Sequence, residues 1–210
     1  MHILDPESKV MQALTFLADL LLLSIYFVVT CLPVVTIGAS VTAMYSVLRQ
    51  RDHIESSITA KYFRAFAVNW KNATVSWLIQ LALTALLALD LYFLQFMSGG
   101  LVGLLRIISI VLLAFLSMTG ALVYPQIARY ENKLGRYWRN ALLLFFPKMW
   151  MLLPNLLLFL MPEILLFFRP DIYLYCLALR LMLIIGFQFY LSSLLMGKLF
   201  EPFEENELKE

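Results

Sequence analysis

Charge is what this chain has least of: 14% of its 210 residues are Asp, Glu, Lys or Arg, against 62% hydrophobic ones. Soluble domains carry about a quarter charged and about half apolar residues, and a folded chain of this size still exposes much of its surface. The apolar excess therefore needs lipid as its solvent, and a mean hydropathy of +0.82 agrees. A formal net charge of +2 leaves no footprint for nucleic acid.

Chemically reactive side chains are scarce too. The two cysteines, Cys31 and Cys176, sit in apolar runs without CxxC spacing or a neighbouring histidine, which reads as two small buried hydrophobes. His2 and His53 are far apart, and no HExxH, GxSxG or Walker A pattern occurs. No enzyme, cofactor or metal site is expected. Residues 2–9 carry Asp5, Glu7 and Lys9 and no small-residue cleavage motif, so the first apolar run is expected to stay as a membrane helix. Nothing marks a linker, and residues 1–210 read as one domain.

What is present is a series of long apolar runs punctuated by charge. Between residues 10 and 48 the only acid or base is Asp19, and Pro33 divides the run. A first span is predicted over 12–32, long enough for a hydrocarbon core of about 30 Å. A shorter segment follows over 36–48, rich in small residues such as Gly38, Ser40 and Thr42, which let helix backbones approach closely in lipid. It crosses at minimal length or dips in and returns. Further spans are predicted over 73–97, 107–128, 141–168 and 172–197, with Ser98-Gly99-Gly100 breaking the third from the fourth. Pro147, Pro154 and Pro162 predict kinks or a break in the fifth. The expected fold is an all-α polytopic transmembrane helical bundle of about six membrane helices, with five plus a re-entrant segment as the alternative.

Lys and Arg set the expected orientation. One loop holds Arg49, Arg51, Lys61, Arg64 and Lys71, and another holds Arg129, Lys133, Arg136 and Arg139, while the opposite turns hold one basic residue, Arg169. The positive-inside rule puts both basic loops and the C-terminus in the cytoplasm. Six crossings place the N-terminus there as well; five place it outside.

The first basic loop contains a predicted amphipathic connector over 57–72. Phe63, Phe66, Ala67 and Trp70 share one helical face, with Arg64 and Lys71 beside it. Such a segment lies along the inner leaflet or presents a docking surface, and Phe63, Arg64, Phe66, Trp70 and Lys71 are the candidates for that role. Gly38, Ser40 and Thr42 are candidates for a helix contact with a partner. Trp70-Lys71-Asn72-Ala73 is echoed by Trp138-Arg139-Asn140-Ala141, a pattern that interfacial Trp and an Asn cap explain and that two related hairpins would also produce. Five charges fall within the apolar runs: Asp19, Asp90, Arg106, Glu163 and Arg180. Intramembrane charges are expensive and either pair or line a polar path; Asp90 with Arg106 or Arg180 is the expected pairing.

The run Cys31-Leu32-Pro33-Val34-Val35-Thr36-Ile37-Gly38-Ala39-Ser40, with Thr42-Ala43-Met44-Tyr45 after it, resembles the signature of the YesL-like family of bacterial membrane proteins. Leu17-Ala18-Asp19-Leu20, Asn69-Trp70-Lys71-Asn72, Asp90-Leu91-Tyr92-Phe93 and Ala128-Arg129-Tyr130-Glu131-Asn132 are similar to further blocks of it. That family has no established activity or ligand residue. The resemblance implies an inner-membrane protein that accompanies uptake and degradation of complex carbohydrates, including binding-protein-dependent ABC importers. The leading expectation is an accessory membrane subunit of an oligosaccharide ABC importer, with the bilayer, permease subunits and a sugar-binding lipoprotein as partners. The alternatives are an independent small-solute transporter or channel, and a membrane sensor or scaffold for sugar uptake.

Overall fold

The computed structural model describes residues 9–50, 57–168 and 184–207, with side chains as far as 160 in the second stretch and 201 in the third. The described residues form six α-helices and no strand: α1 (Lys9–Cys31), α2 (Ile37–Arg49), α3 (Ile58–Leu94), α4 (Gly100–Arg129), α5 (Leu134–Phe168) and α6 (Ile185–Glu207), with a 3₁₀ turn at Val34–Thr36. Four of them, α1, α3, α4 and α5, are long and apolar enough to cross a membrane.

The breaks follow from backbone chemistry. Pro33 cannot donate to the α1 ladder, and the Thr36 hydroxyl closes the turn by donating to the carbonyls of Thr30 and Pro33 at 2.6 and 2.8 Å. Ser57 caps α3 by accepting the Ala60 N–H. Gly99, at φ 135°, stands in a region that only glycine enters freely and turns the chain from α3 into α4.

Two expectations about elements are corrected. The surface connector over 57–72 and the span over 73–97 are one continuous helix, α3. No Gly or Pro interrupts Trp70-Lys71-Asn72, and a change of solvent along a helix does not end its hydrogen-bond ladder. Its inward face there is Tyr62 and Ala73, both buried, with Phe66 and Asn69 half-buried; Phe63 and Trp70, expected on one stripe with Phe66, stand 45% and 53% exposed. Likewise α5 begins at Leu134, ahead of Trp138-Arg139-Asn140, and stays helical through Pro147, Pro154 and Pro162. The expected last span, 172–197, lies partly outside the described residues.

The core gathers around α2. Ten of its 13 residues are buried, and it packs against α1, α3, α4 and α6. Small residues make this physically feasible, since packing rather than a hydrophobic drive holds helices together in lipid. A side chain at Gly38 would run into the Ala73 carbonyl oxygen and the Trp77 Cβ. Gly186 of α6 makes the same close approach to α1: a Cβ there would stand 2.6 Å from both the Leu20 carbonyl oxygen and the Ser24 hydroxyl. That hydroxyl accepts the Gly186 N–H at 2.9 Å and donates to Leu20 at 2.8 Å.

Candidate functional site: a neutral polar cavity in the bundle

Pro33 and the small residues of α2 let this short helix sit inside the bundle, and a cavity of about 400 Å³ opens beside it. Val41 and Tyr45 of α2, Trp77 and Gln80 of α3, Gly120 and Tyr124 of α4, Asn155 of α5 and Phe189 of α6 all reach its wall. Its volume falls in the roughly 300–1,000 Å³ range of small-ligand sites. No charged side chain lines it among the described residues.

Each polar group is held in place by a partner. The Tyr124 hydroxyl donates to Gln80 Oε1 at 2.7 Å, with Gln80 lying against the bare Cα of Gly120. Ser192 Oγ donates to Asn155 Oδ1 at 2.5 Å, so its single proton is committed and the Tyr45 hydroxyl, 2.6 Å away, is the donor to Ser192. The Trp77 indole N–H donates to the Val34 carbonyl at 2.7 Å. These bonds use the acceptor sides of both amides. The NH₂ groups of Gln80 and Asn155 and the lone pairs of Tyr45 and Tyr124 remain as ligand contacts beside aromatic faces.

An ion entering the cavity would lose its hydration with no counter-charge among the described lining residues, a cost of several kcal/mol. A neutral solute with hydroxyls finds donors and acceptors in alternation, and ring faces with negative quadrupoles accept its C–H surface. The wall carries no His, Cys, Asp, Glu, Lys or Arg side chain among the described residues. Among the described residues no group of three His, Cys, Asp or Glu side chains forms that suits a metal.

The residues singled out from the sequence lie elsewhere. Gly38, Ser40 and Thr42, expected to meet a partner, are buried within the chain, and their contact is internal packing of α2. Phe66 packs on the core; Phe63, Arg64, Trp70 and Lys71 face outward on α3. Asp19 is half-buried on α1. The expected Asp90–Arg106 ion pair does not form. Asp90 accepts from the Ser109 hydroxyl, and Arg106 donates to the carbonyls of Leu94 and Met97 at 2.6 and 2.9 Å. The reason is local: α3 ends at Leu94, and the turn that follows it presents carbonyls to the guanidinium. The side chain of Glu163, and Arg180 altogether, lie outside the described residues.

Sequence reasoning missed Tyr45, Gln80, Tyr124 and Asn155. The available signal was the isolated amide: Gln80 and Asn155 each interrupt an apolar run, and a buried amide in lipid needs a partner.

In comparison with known proteins, a family model described as "Protein of unknown function, DUF624" matches residues 17–91, from within α1 to near the end of α3. No curated protein and no solved structure matches the chain.

Proposed function

We propose that this protein is a membrane component of bacterial carbohydrate uptake that holds a neutral, hydroxyl-rich solute in the cavity between α2, α3, α4 and α5. The observation that carries the reading is the uncharged wall of Tyr45, Trp77, Gln80, Tyr124 and Asn155 around about 400 Å³. The YesL-like resemblance points to the same solute class independently. The chain acts as an accessory subunit of an oligosaccharide ABC importer, and the outward α3 face with Phe63, Arg64, Trp70 and Lys71 serves as its docking surface for a permease.

The test is mild-detergent purification of the tagged protein from its host membrane, with mass spectrometry of associated chains. A permease pair, its ATPase or a sugar-binding lipoprotein is expected. Recovery of the protein alone would contradict the accessory role. The cavity also favours a second reading, an independent transporter, which predicts sugar uptake by liposomes containing this protein only.

The orientation belongs to the same proposal. The basic loops and the C-terminus face the cytoplasm. The end of α1 meets the start of α3, since Tyr26 shares a hydrogen bond with Thr59 at 2.8 Å and Thr30 with Tyr62 at 2.7 Å. The start of α3 adjoins the first basic loop, so α1 ends on the cytoplasmic side and begins outside. Helix α2, about 20 Å long at 1.5 Å per residue, is then a buried half-helix in a five-crossing arrangement, in place of the six crossings and cytoplasmic N-terminus expected from sequence.

A further inference from the structure

We infer that the junction of α4 and α5 binds the headgroup of an anionic phospholipid from the leaflet on the side of the second basic loop. This site is separate from the central cavity and does not rest on the solute reading.

The junction is prebuilt. Tyr137, 2% exposed, donates its hydroxyl proton to the Tyr130 carbonyl at 2.7 Å and accepts the Asn132 N–H at 2.9 Å. Arg136 donates to Asn132 Oδ1 at 3.0 Å. One buried phenol and one guanidinium thus hold the turn between two long helices in a single shape.

Two adjoining pockets share Tyr130 and Asn132 as a common wall. The outer one, about 520 Å³, carries Lys133 and Arg136, opposed by Glu131, with the amides of Asn69 and Asn72. The inner one, about 270 Å³, pairs Gln126 and Asn140 with Leu143, Leu144 and Phe200. Gln126 supplies the independent pointer to a ligand. It is 2% exposed, and its Nε2 has no hydrogen-bond partner. Buried donors are rarely left so, and an acceptor oxygen placed in the inner pocket would complete it.

The order of chemistry across the two pockets matches one molecule. Two cations against one carboxylate suit a phosphate with net negative charge. The amides behind them suit glycerol and ester oxygens. Leu143, 66% exposed on the outside of α5, leads an acyl chain into the bilayer. A soluble phosphate ester shares the first two contacts and lacks the third, which is why the lipid is favoured.

The test is native mass spectrometry of the full-length protein released from nanodiscs of mixed phosphatidylglycerol and phosphatidylcholine. The wild type is expected to retain phosphatidylglycerol preferentially. K133Q/R136Q should reduce that retention roughly thirtyfold, on the usual strength of two basic side chains at an anionic surface. R139Q, which removes a charge from α5 outside both pockets, should retain lipid like the wild type. Q126L should bind less lipid and yet melt no lower than wild type without lipid, because its amide nitrogen has no partner inside the protein; this variant keeps the test decisive where the double variant fails to fold. Equal retention of both lipids by the wild type would overturn the inference. So would unchanged retention in Q126L, or displacement of the lipid by an equal concentration of glycerol 1-phosphate, which would assign the pocket to a soluble anion.

Discussion

Arg106 illustrates how this protein carries charge in an apolar helix without an opposite charge beside it. Its guanidinium sits over the turn that follows α3, bonding the carbonyls of Leu94 and Met97, at the end where the macrodipole is negative. R106Q is therefore expected to lower the thermal stability of the detergent-solubilised protein by on the order of 1–2 kcal/mol, a charge-assisted bond's worth, while D90N, which can still accept from Ser109, melts close to wild type. Equal losses in both would mean that the two residues act as a pair after all. Asn155 is the complementary case, a neutral side chain whose removal matters more. N155L strands the Ser192 hydroxyl, 0% exposed, and should cost about 1–3 kcal/mol by the usual penalty for an unsatisfied buried group, read as a lower unfolding midpoint. Charges such as Asp90 and Arg106 were legible in the sequence because they interrupt apolar runs. Their partners were not: the carbonyls that Arg106 uses have no sequence signature, and Ser109, which donates to Asp90, is one unmarked hydroxyl in an apolar run. Gln80 and Asn155 were passed over because neutral amides barely dent a hydropathy profile, although in lipid they need a partner as much as a charge does.

At the scale of elements, the apolar runs located α1 and α2 closely, since Pro33 is a break that backbone geometry enforces, while α4 starts at Gly100, ahead of the predicted 107. What composition could not give was continuity. Trp70-Lys71-Asn72 marks where a helix meets the interface and says nothing about whether it stops there, so α3 and α5 both run on past the predicted starts of their spans. Nor could the sequence show which face of residues 58–72 is inward, because Phe63 and Trp70 are as apolar as Tyr62 and Phe66; contact with α2 decides it. The hydrogen bonds from Tyr26 and Thr30 to the first turns of α3 carry the clearest consequence for topology. A cysteine introduced near residue 3 in C31S/C176S protein should react with a membrane-impermeant maleimide in intact spheroplasts, while one introduced near residue 208 should react only after permeabilisation. Labelling of neither until the membrane is opened would favour six crossings.

Over the whole molecule, the short helix α2 organises the rest. Its small residues bring α1, α3 and α4 close, and its Val41 and Tyr45 stand on the wall of the cavity that α3, α4, α5 and α6 complete. The family match over residues 17–91 spans α2 and most of the two helices that flank it in sequence. Class and composition were readable from the chain alone, because its apolar runs are long enough to make helices that can cross a membrane. The cavity was not, because it is assembled from five helices whose contributing residues are far apart in sequence. The most direct measurement of the central claim is equilibrium binding of neutral oligosaccharides to the purified protein in nanodiscs, followed by tryptophan fluorescence with Trp77 as reporter. Saturable changes are expected with neutral sugars, none with an anionic sugar of matched size, loss of the signal in W77F, and weakening of about five- to 150-fold in N155L, in line with the one to three kcal/mol that a buried polar contact contributes. Binding in W77F and N155L should then be checked by calorimetry to separate a lost reporter from a lost site. No saturable binding to the wild type, or binding left unchanged by N155L, would contradict the cavity as a solute site.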